Sequence, residues 1–188
     1  MTVPRLLCIF GAPGAGKDTV IAELGKHLSL VRIPRRTTKP NTRQEADGIS
    51  FRFSTDAEFD RVESDMIYVQ RHAGYRYGIE RRFLHDRLAA AAGRQPLLMS
   101  NIEEALAIHA QDPTVLLAYL TAPTPEEAER RIRERPDDPL EIEKKVAGVQ
   151  RNLARFSALS DVEKSKIHVV VNDTVDHAVS QILQLLSS

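Results

Sequence analysis

Cys8-Ile9-Phe10-Gly11-Ala12-Pro13-Gly14-Ala15-Gly16-Lys17-Asp18-Thr19 is an apolar run that breaks into a glycine-rich turn and reopens with helix-forming residues. Gly11 through Lys17 fits G-x-x-x-x-G-K, and Leu6 to Phe10 reads as a buried strand, which is the context this motif needs. Successive backbone N–H groups in such a loop converge on an anion. The helix starting near Lys17 adds the positive end of its dipole, and the lysine sets a mobile charge beside the outer phosphates of a nucleotide. The pattern assigns Gly11, Ala12, Pro13, Gly14, Ala15, Gly16, Lys17, Asp18 and Thr19 to ATP, with Lys17 catalytic. An ordinary strand, turn and helix would have no use for three glycines and a lysine in this order.

The residue after the lysine is Asp18, where a Ser or Thr usually ligates Mg²⁺. A carboxylate can hold Mg²⁺ directly or through water, so Asp18 is the candidate metal ligand. The alternative is a helix-terminal charge turned away from the nucleotide, which the dipole also favours. Thr19 then offers the hydroxyl contact to phosphate.

A length of 188 residues suits one domain, 1–188, with a sizeable core. Lys plus Arg number 26 and Asp plus Glu 26, so no net field draws the chain to nucleic acid or to an anionic membrane. Cys8 is the single cysteine and sits inside an apolar strand, which excludes an internal disulfide and reads as a buried structural thiol. The histidines show no metal-type spacing. No run reaches membrane-spanning length and no signal peptide is apparent, so the cytoplasm is the expected location.

Along the chain, a helix is predicted over 17–28 with Val20, Ile21, Leu24 and Leu28 on one side, followed by a short strand over 30–33. Residues 34–43 are basic and interrupted by prolines, and read as an irregular stretch that cannot be core. Ile49, Phe51 and Phe53 alternate as a half-buried strand, and Thr55 with Glu58 forms a capping box for a helix over 57–62. Residues 66–70 and 75–77 flank Ala73-Gly74 as a hairpin, and Phe83, Leu84 and Leu88 lie on a helix ending near Gly93. Apolar strands over 96–99, 115–120 and 167–171 alternate with helices started by Asn101, by Thr124-Pro125-Glu126-Glu127 and by Asp173 or Thr174. The order predicts an α/β fold, a parallel sheet with helices on both faces.

Two arginine groups stand out. Arg35, Arg36, Lys39 and Arg43 can converge on an anion, or form a solvated basic loop. Arg130, Arg131, Arg133 and Arg135 precede a break at Pro136-Asp137-Asp138-Pro139, after which a second charged helix carries Lys144 and Lys145. That break suits a movable lid that closes positive charge over a transferring phosphate. Tyr75, Tyr77 and Phe51 offer rings and hydroxyls to an acceptor, or are core.

These residues in this order resemble the guanylate kinase family of P-loop nucleoside monophosphate kinases over nearly the whole chain. Thr37-Thr38-Lys39-Pro40, Glu45-Ala46-Asp47-Gly48 and Phe51-Arg52-Phe53 look like the family's acceptor series, as do Gly74, Tyr77 and Gly78. The resemblance implies an ATP- and Mg²⁺-dependent kinase, a monomer or homodimer, acting on a small-molecule phosphate monoester. It implies an acceptor-binding subdomain at about 34–80 and a lid at about 131–145. Arg35, Lys39, Arg43, Phe51, Tyr68, Tyr77 and Ser100 would bind the acceptor, and Arg131, Arg135 and Lys145 would join Lys17 in catalysis. Asn172, within Val171-Asn172-Asp173, would lie by the donor base. Tyr68 and about Ser100 occupy the positions of the family's guanine-reading carboxylates, and Gly-Lys-Asp also looks like ribose 1,5-bisphosphate phosphokinases. A non-catalytic guanylate kinase-like binding module is the reading of another class.

Overall fold

The structure, a computed structural model, describes residues 5–42 and 46–188, so Arg43 and Glu45 lie outside the described residues. In chain order the elements are β1 (Leu7–Phe10), α1 (Lys17–His27), β2 (Leu30–Arg32), β3 (Arg35–Thr37), β4 (Phe51–Phe53), α2 (Asp56–Asp60), β5 (Met66–His72), β6 (Tyr75–Glu80) and α3 (Arg81–Ala89). There follow β7 (Gln95–Met99), α4 (Ile102–Gln111), β8 (Leu116–Thr121), α5 (Pro125–Arg133), α6 (Pro139–Ser157), α7 (Asp161–Lys164), β9 (Ile167–Val171) and α8 (Val175–Ser187). A five-stranded sheet has the order β2-β7-β1-β8-β9, with β2–β7 and β8–β9 parallel, and a four-stranded sheet has the order β4-β3-β6-β5. The chain divides within β1 into two compact units: the described residues up to Cys8 with Ser29–Val115, and Ile9–Leu28 with Leu116–Ser188.

In the second unit α1 buries Val20, Ile21 and Leu24, the three-four spacing of one helix face, and lies against α8. The β8 strand is buried along Leu116–Leu120, and the Tyr119 ring stacks on Phe156 at 4.1 Å while its hydroxyl donates to Asn152 at 2.9 Å. Helix starts follow their side chains. Thr124 accepts from the Glu127 N–H and Thr174 from the His177 N–H. In the first unit Asn101 accepts from the Glu104 N–H, and the Thr55–Glu58 capping box is complete. Cys8 is buried, and burial with the nearby Glu104 pushes its thiol pKa up. No helix among the described residues is long and apolar enough to cross a membrane.

One expectation is overturned. The basic stretch after β2 is not irregular: Arg35–Thr37 forms β3, between β4 and β6, and Thr37 is fully buried. A strand this charged is tolerated because period-two alternation sends each guanidinium to its own partners. Arg35 registers with Phe51, and Thr37 with Phe53 and Tyr77, which puts these on one face. Arg36 registers with Arg52 on the other, where both donate to Glu80, at 2.6 and 2.7 Å. Arg76, also on β6, donates to Asp60, Glu63 and Asp56 and ties α2 to the hairpin. The hairpin turns through Ala73 and Gly74, with φ of 51° and 81°, the pair of positive values a type I′ turn needs. Ile49, expected in a strand, is 52% exposed, because β4 begins only at Phe51.

Glu80 is 4% exposed between two guanidiniums. Glu80→Ala removes the buried carboxylate that both share and should cost about 3 kcal/mol in urea denaturation, whereas Arg71→Ala, at an exposed ion pair, should cost under about 1 kcal/mol.

Candidate active site

The second unit holds the glycine-rich loop. Gly11 cannot carry a side chain, since a Cβ there would lie 1.9 Å from the Leu120 carbonyl oxygen, and Gly16, at φ +86°, would place one 2.3 Å from Asn172 Nδ2. Gly16 is also the N-cap of α1, and no described side chain caps that helix. The first N–H groups of α1 therefore remain for an anion, the arrangement a phosphate requires. Lys17 Nζ donates to the Gly11 and Ala12 carbonyls, each at 2.9 Å. Burial lowers its pKa to about 8, with Asp18 opposing the shift and Arg135 adding to it. Asp18 and Thr19 are exposed on the first turn of α1.

Asn172 ties this loop to the end of β9. Its side-chain amide, buried, donates to the Ala15 carbonyl at 2.8 Å, and its own carbonyl accepts from Arg131 Nη2 at 3.1 Å. Arg131 Nε donates in turn to Glu127 at 2.7 Å. Glu127 thus turns its carboxylate to Arg130 and Arg131, which pull its pKa down to about 2. Arg135 is exposed past the end of α5, and Lys145 Nζ donates to Asp137 at 2.5 Å. A cluster of Ala12, Ala122, Ala128, Ile132 and Val149 packs the loop against α5 and α6. Arg131 is accordingly a fixed residue of α5, while Arg135 stands at the helix break.

In the first unit, Arg35 brings several acceptor candidates together. Its Nε lies 2.8 Å from Glu104 Oε2, its Nη2 donates to Gln70 at 3.1 Å, and its guanidinium is 5.6 Å from the centre of the Tyr77 ring. Phe51 packs on Tyr77 at 6.0 Å. The Tyr77 pKa is raised by burial, with its hydrogen bond to the Thr37 side chain acting the other way. Tyr68 is half-buried on β5, two residues before Gln70, and Ser100 follows β7 beside a cavity that Arg35 also lines. Lys39 is exposed beyond β3. The sequence reading missed Glu104 and Gln70. Glu104 showed only as the third residue after a capping Asn, and nothing local marks it as buried.

A glycine-rich loop between a buried strand and an uncapped helix, with arginines following the next strand of the sheet, defines a P-loop nucleotide kinase. The guanylate kinase family model matches residues 3–188. Guanylate kinases from Thermobifida fusca and Synechococcus sp. are 32% and 31% identical to the chain, over 98% and 97% of it and 91% and 82% of their own lengths. The guanylate kinase of Anaplasma phagocytophilum, 21% identical, superposes with a TM-score of 0.69 over 99% of this chain and 86% of that one, and so shares the fold. The chain belongs to the guanylate kinase family, a family of ATP-dependent nucleotide kinases.

A lysine with a pKa of about 8 loses its charge across the mildly alkaline range. Affinity for a fluorescent ATP analogue should fall roughly tenfold between pH 7 and pH 9, following the charged fraction of Lys17, and should be flat in Lys17→Ala.

Proposed function

We propose that this chain transfers the γ-phosphoryl group of ATP to the phosphate of a nucleoside monophosphate, the GMP that its relatives' name implies. The observation that carries the reading is the family match along residues 3–188 with the P-loop intact and Lys17 poised on it. In this reading the loop N–H groups and the first turn of α1 bind the donor phosphates. Lys17 leaves the Gly11 and Ala12 carbonyls for a phosphate oxygen, a move between acceptors within reach of one side chain. Arg131, from its fixed place on α5, and Arg135 and Lys145, in a lid at about 131–145, supply the charge that a loose, anionic transition state needs. Acceptor phosphate falls to Lys39, Arg43 and Tyr77 in the part at about 34–80. The neutral charge balance agrees with a cytoplasmic enzyme working on a small phosphate monoester.

Magnesium belongs to the same proposal. Among the described residues no group of three or more His, Cys, Asp or Glu side chains is placed to hold a metal, so the ion would be carried by phosphate oxygens with Asp18 and Thr19 beside it. That donor set suits Mg²⁺, which is commonly held by one or two carboxylates, water and phosphate. When bound, the ion neutralises charge on the transferring group.

The two alternatives find no support. A base-free sugar bisphosphate leaves the mainly apolar cavity beside Arg35 unfilled, and a pure recognition module has no need of the lysine and its loop. Lys17→Ala should lower kcat by at least about tenfold, or 1.4 kcal/mol of barrier, in a coupled assay with ATP and GMP, and parental turnover would remove Lys17 from the chemistry. Asp18→Asn should raise the Mg²⁺ concentration for half-maximal rate more than the KM for GMP, with thermal stability little changed.

A further inference from the structure

The cavity in the first unit contains about 100 Å³ of free space walled by Ile33, Ile49, Phe51, Leu97 and Met99. Such walls suit the faces of a flat heterocycle. Arg32, Arg35, Ser50 and Ser100 complete the lining, so an apolar wall meets a few polar groups, as a heterocycle with polar edges requires. No acidic side chain lines the cavity among the described residues, whereas two arginines do: Arg32, whose Nη1 lies 3.5 Å from Ser50 Oγ, and Arg35. Arg35 is held from behind: Glu104, wholly buried on the first turn of α4, places Oε2 2.8 Å from its Nε as an ion pair, and Gln70 accepts from Nη2. A guanidinium has five N–H donors in a rigid fork, more than these two partners engage. Among the described residues neither Glu104 oxygen nor Arg35 Nε meets hydrogen-bond geometry, so their contact is an ion pair, and the buried Ser100 Oγ at the cavity is likewise without a hydrogen-bond partner. A carboxylate buried against one guanidinium is a costly way to fill space, since an apolar pair of the same size is commonly as stable.

We propose that Arg35, aimed by Glu104 as a positioning residue, reads the base of the acceptor and selects 6-oxopurine monophosphates by donating to O6 and N7. Guanine and hypoxanthine present these two acceptors side by side, where an arginine fork fits. Adenine presents an amino donor beside N7 and meets the guanidinium donor to donor. With no acidic side chain on the described walls, guanine's 2-amino group gains no charged partner there, and GMP and IMP are held alike. The inference rests on the kinase reading for its choice of ligand, and its test is separable from it.

Calorimetric titration of the full chain with GMP, IMP and AMP in the absence of ATP reads this pocket whether or not transfer occurs. The expected result is GMP and IMP within about fivefold of each other and AMP at least about tenfold weaker than both. Arg35→Met/Glu104→Leu replaces the ion pair by apolar residues. It should keep the melting temperature and the affinity for an ATP analogue, while the GMP to AMP ratio falls to about threefold or less. Glu104→Gln alone should raise the KM for GMP by about fivefold or more with kcat within about twofold, and should add nothing once Arg35 is Met. The proposal is overturned by a GMP preference over IMP above about 100-fold, by AMP binding as tightly as GMP, or by parental selectivity in the double variant. It is overturned equally by a Glu104→Gln enzyme with parental KM, which decides the matter if the double variant does not fold. Correct binding order without turnover counts against the kinase reading and leaves this one standing.

Discussion

At Gly11, Gly14 and Gly16 the neighbours of the loop leave no room for a side chain. The Leu120 carbonyl closes on Gly11, the Ala128 carbonyl on Gly14 and the Asn172 amide on Gly16. These contacts come from the end of β8, from α5 and from the end of β9, so a loop that has to present bare N–H groups to an anion is shaped by the elements packed around it. Asn172 adds the hydrogen bond to Ala15 that such a loop cannot make within itself, and Arg131 secures the Asn172 carbonyl in turn. The lysine, the helix start and the arginines on α5 all take their positions from this packing.

Charge in this protein is balanced overall and sorted locally. One face of the four-stranded sheet spends its guanidiniums on structure, with Arg36 and Arg52 on Glu80 and Arg76 on three carboxylates. The opposite face carries Arg35, Thr37, Phe51 and Tyr77, where rings and donors lie together. Strand periodicity accounts for the separation: neighbours in sequence point to opposite faces, so Arg35 and Arg36 serve different ends one residue apart.

Family membership and local chemistry answer different questions here. The match along the chain carries the P-loop and the class of reaction. In the proposed acceptor pocket the favoured edge would depend on the few side chains around one cavity, two guanidiniums and two serines set in an apolar wall. Specificity of this kind is decided by what a site leaves unpaired when the wrong ligand enters, which a fold does not dictate.

The loop motif, the alternation of apolar strands with capped helices, the hairpin at Ala73-Gly74 and the caps at Thr55, Asn101 and Thr124 were legible in the sequence, because each depends on residues within a few positions of one another. The sequence by itself therefore determined the α/β order and the glycine-rich loop motif of residues 11–17. It did not reveal that Arg35–Thr37 is an internal strand, since local composition argues for solvent and only Glu80 and Glu104, 44 and 69 residues away from Arg36 and Arg35 respectively, make burial of those arginines tolerable. Nor did it reveal Glu104 behind Arg35 or Asn172 against Ala15, 157 residues apart, because a buried polar group is explained by its partner and the partner is chosen by the tertiary structure.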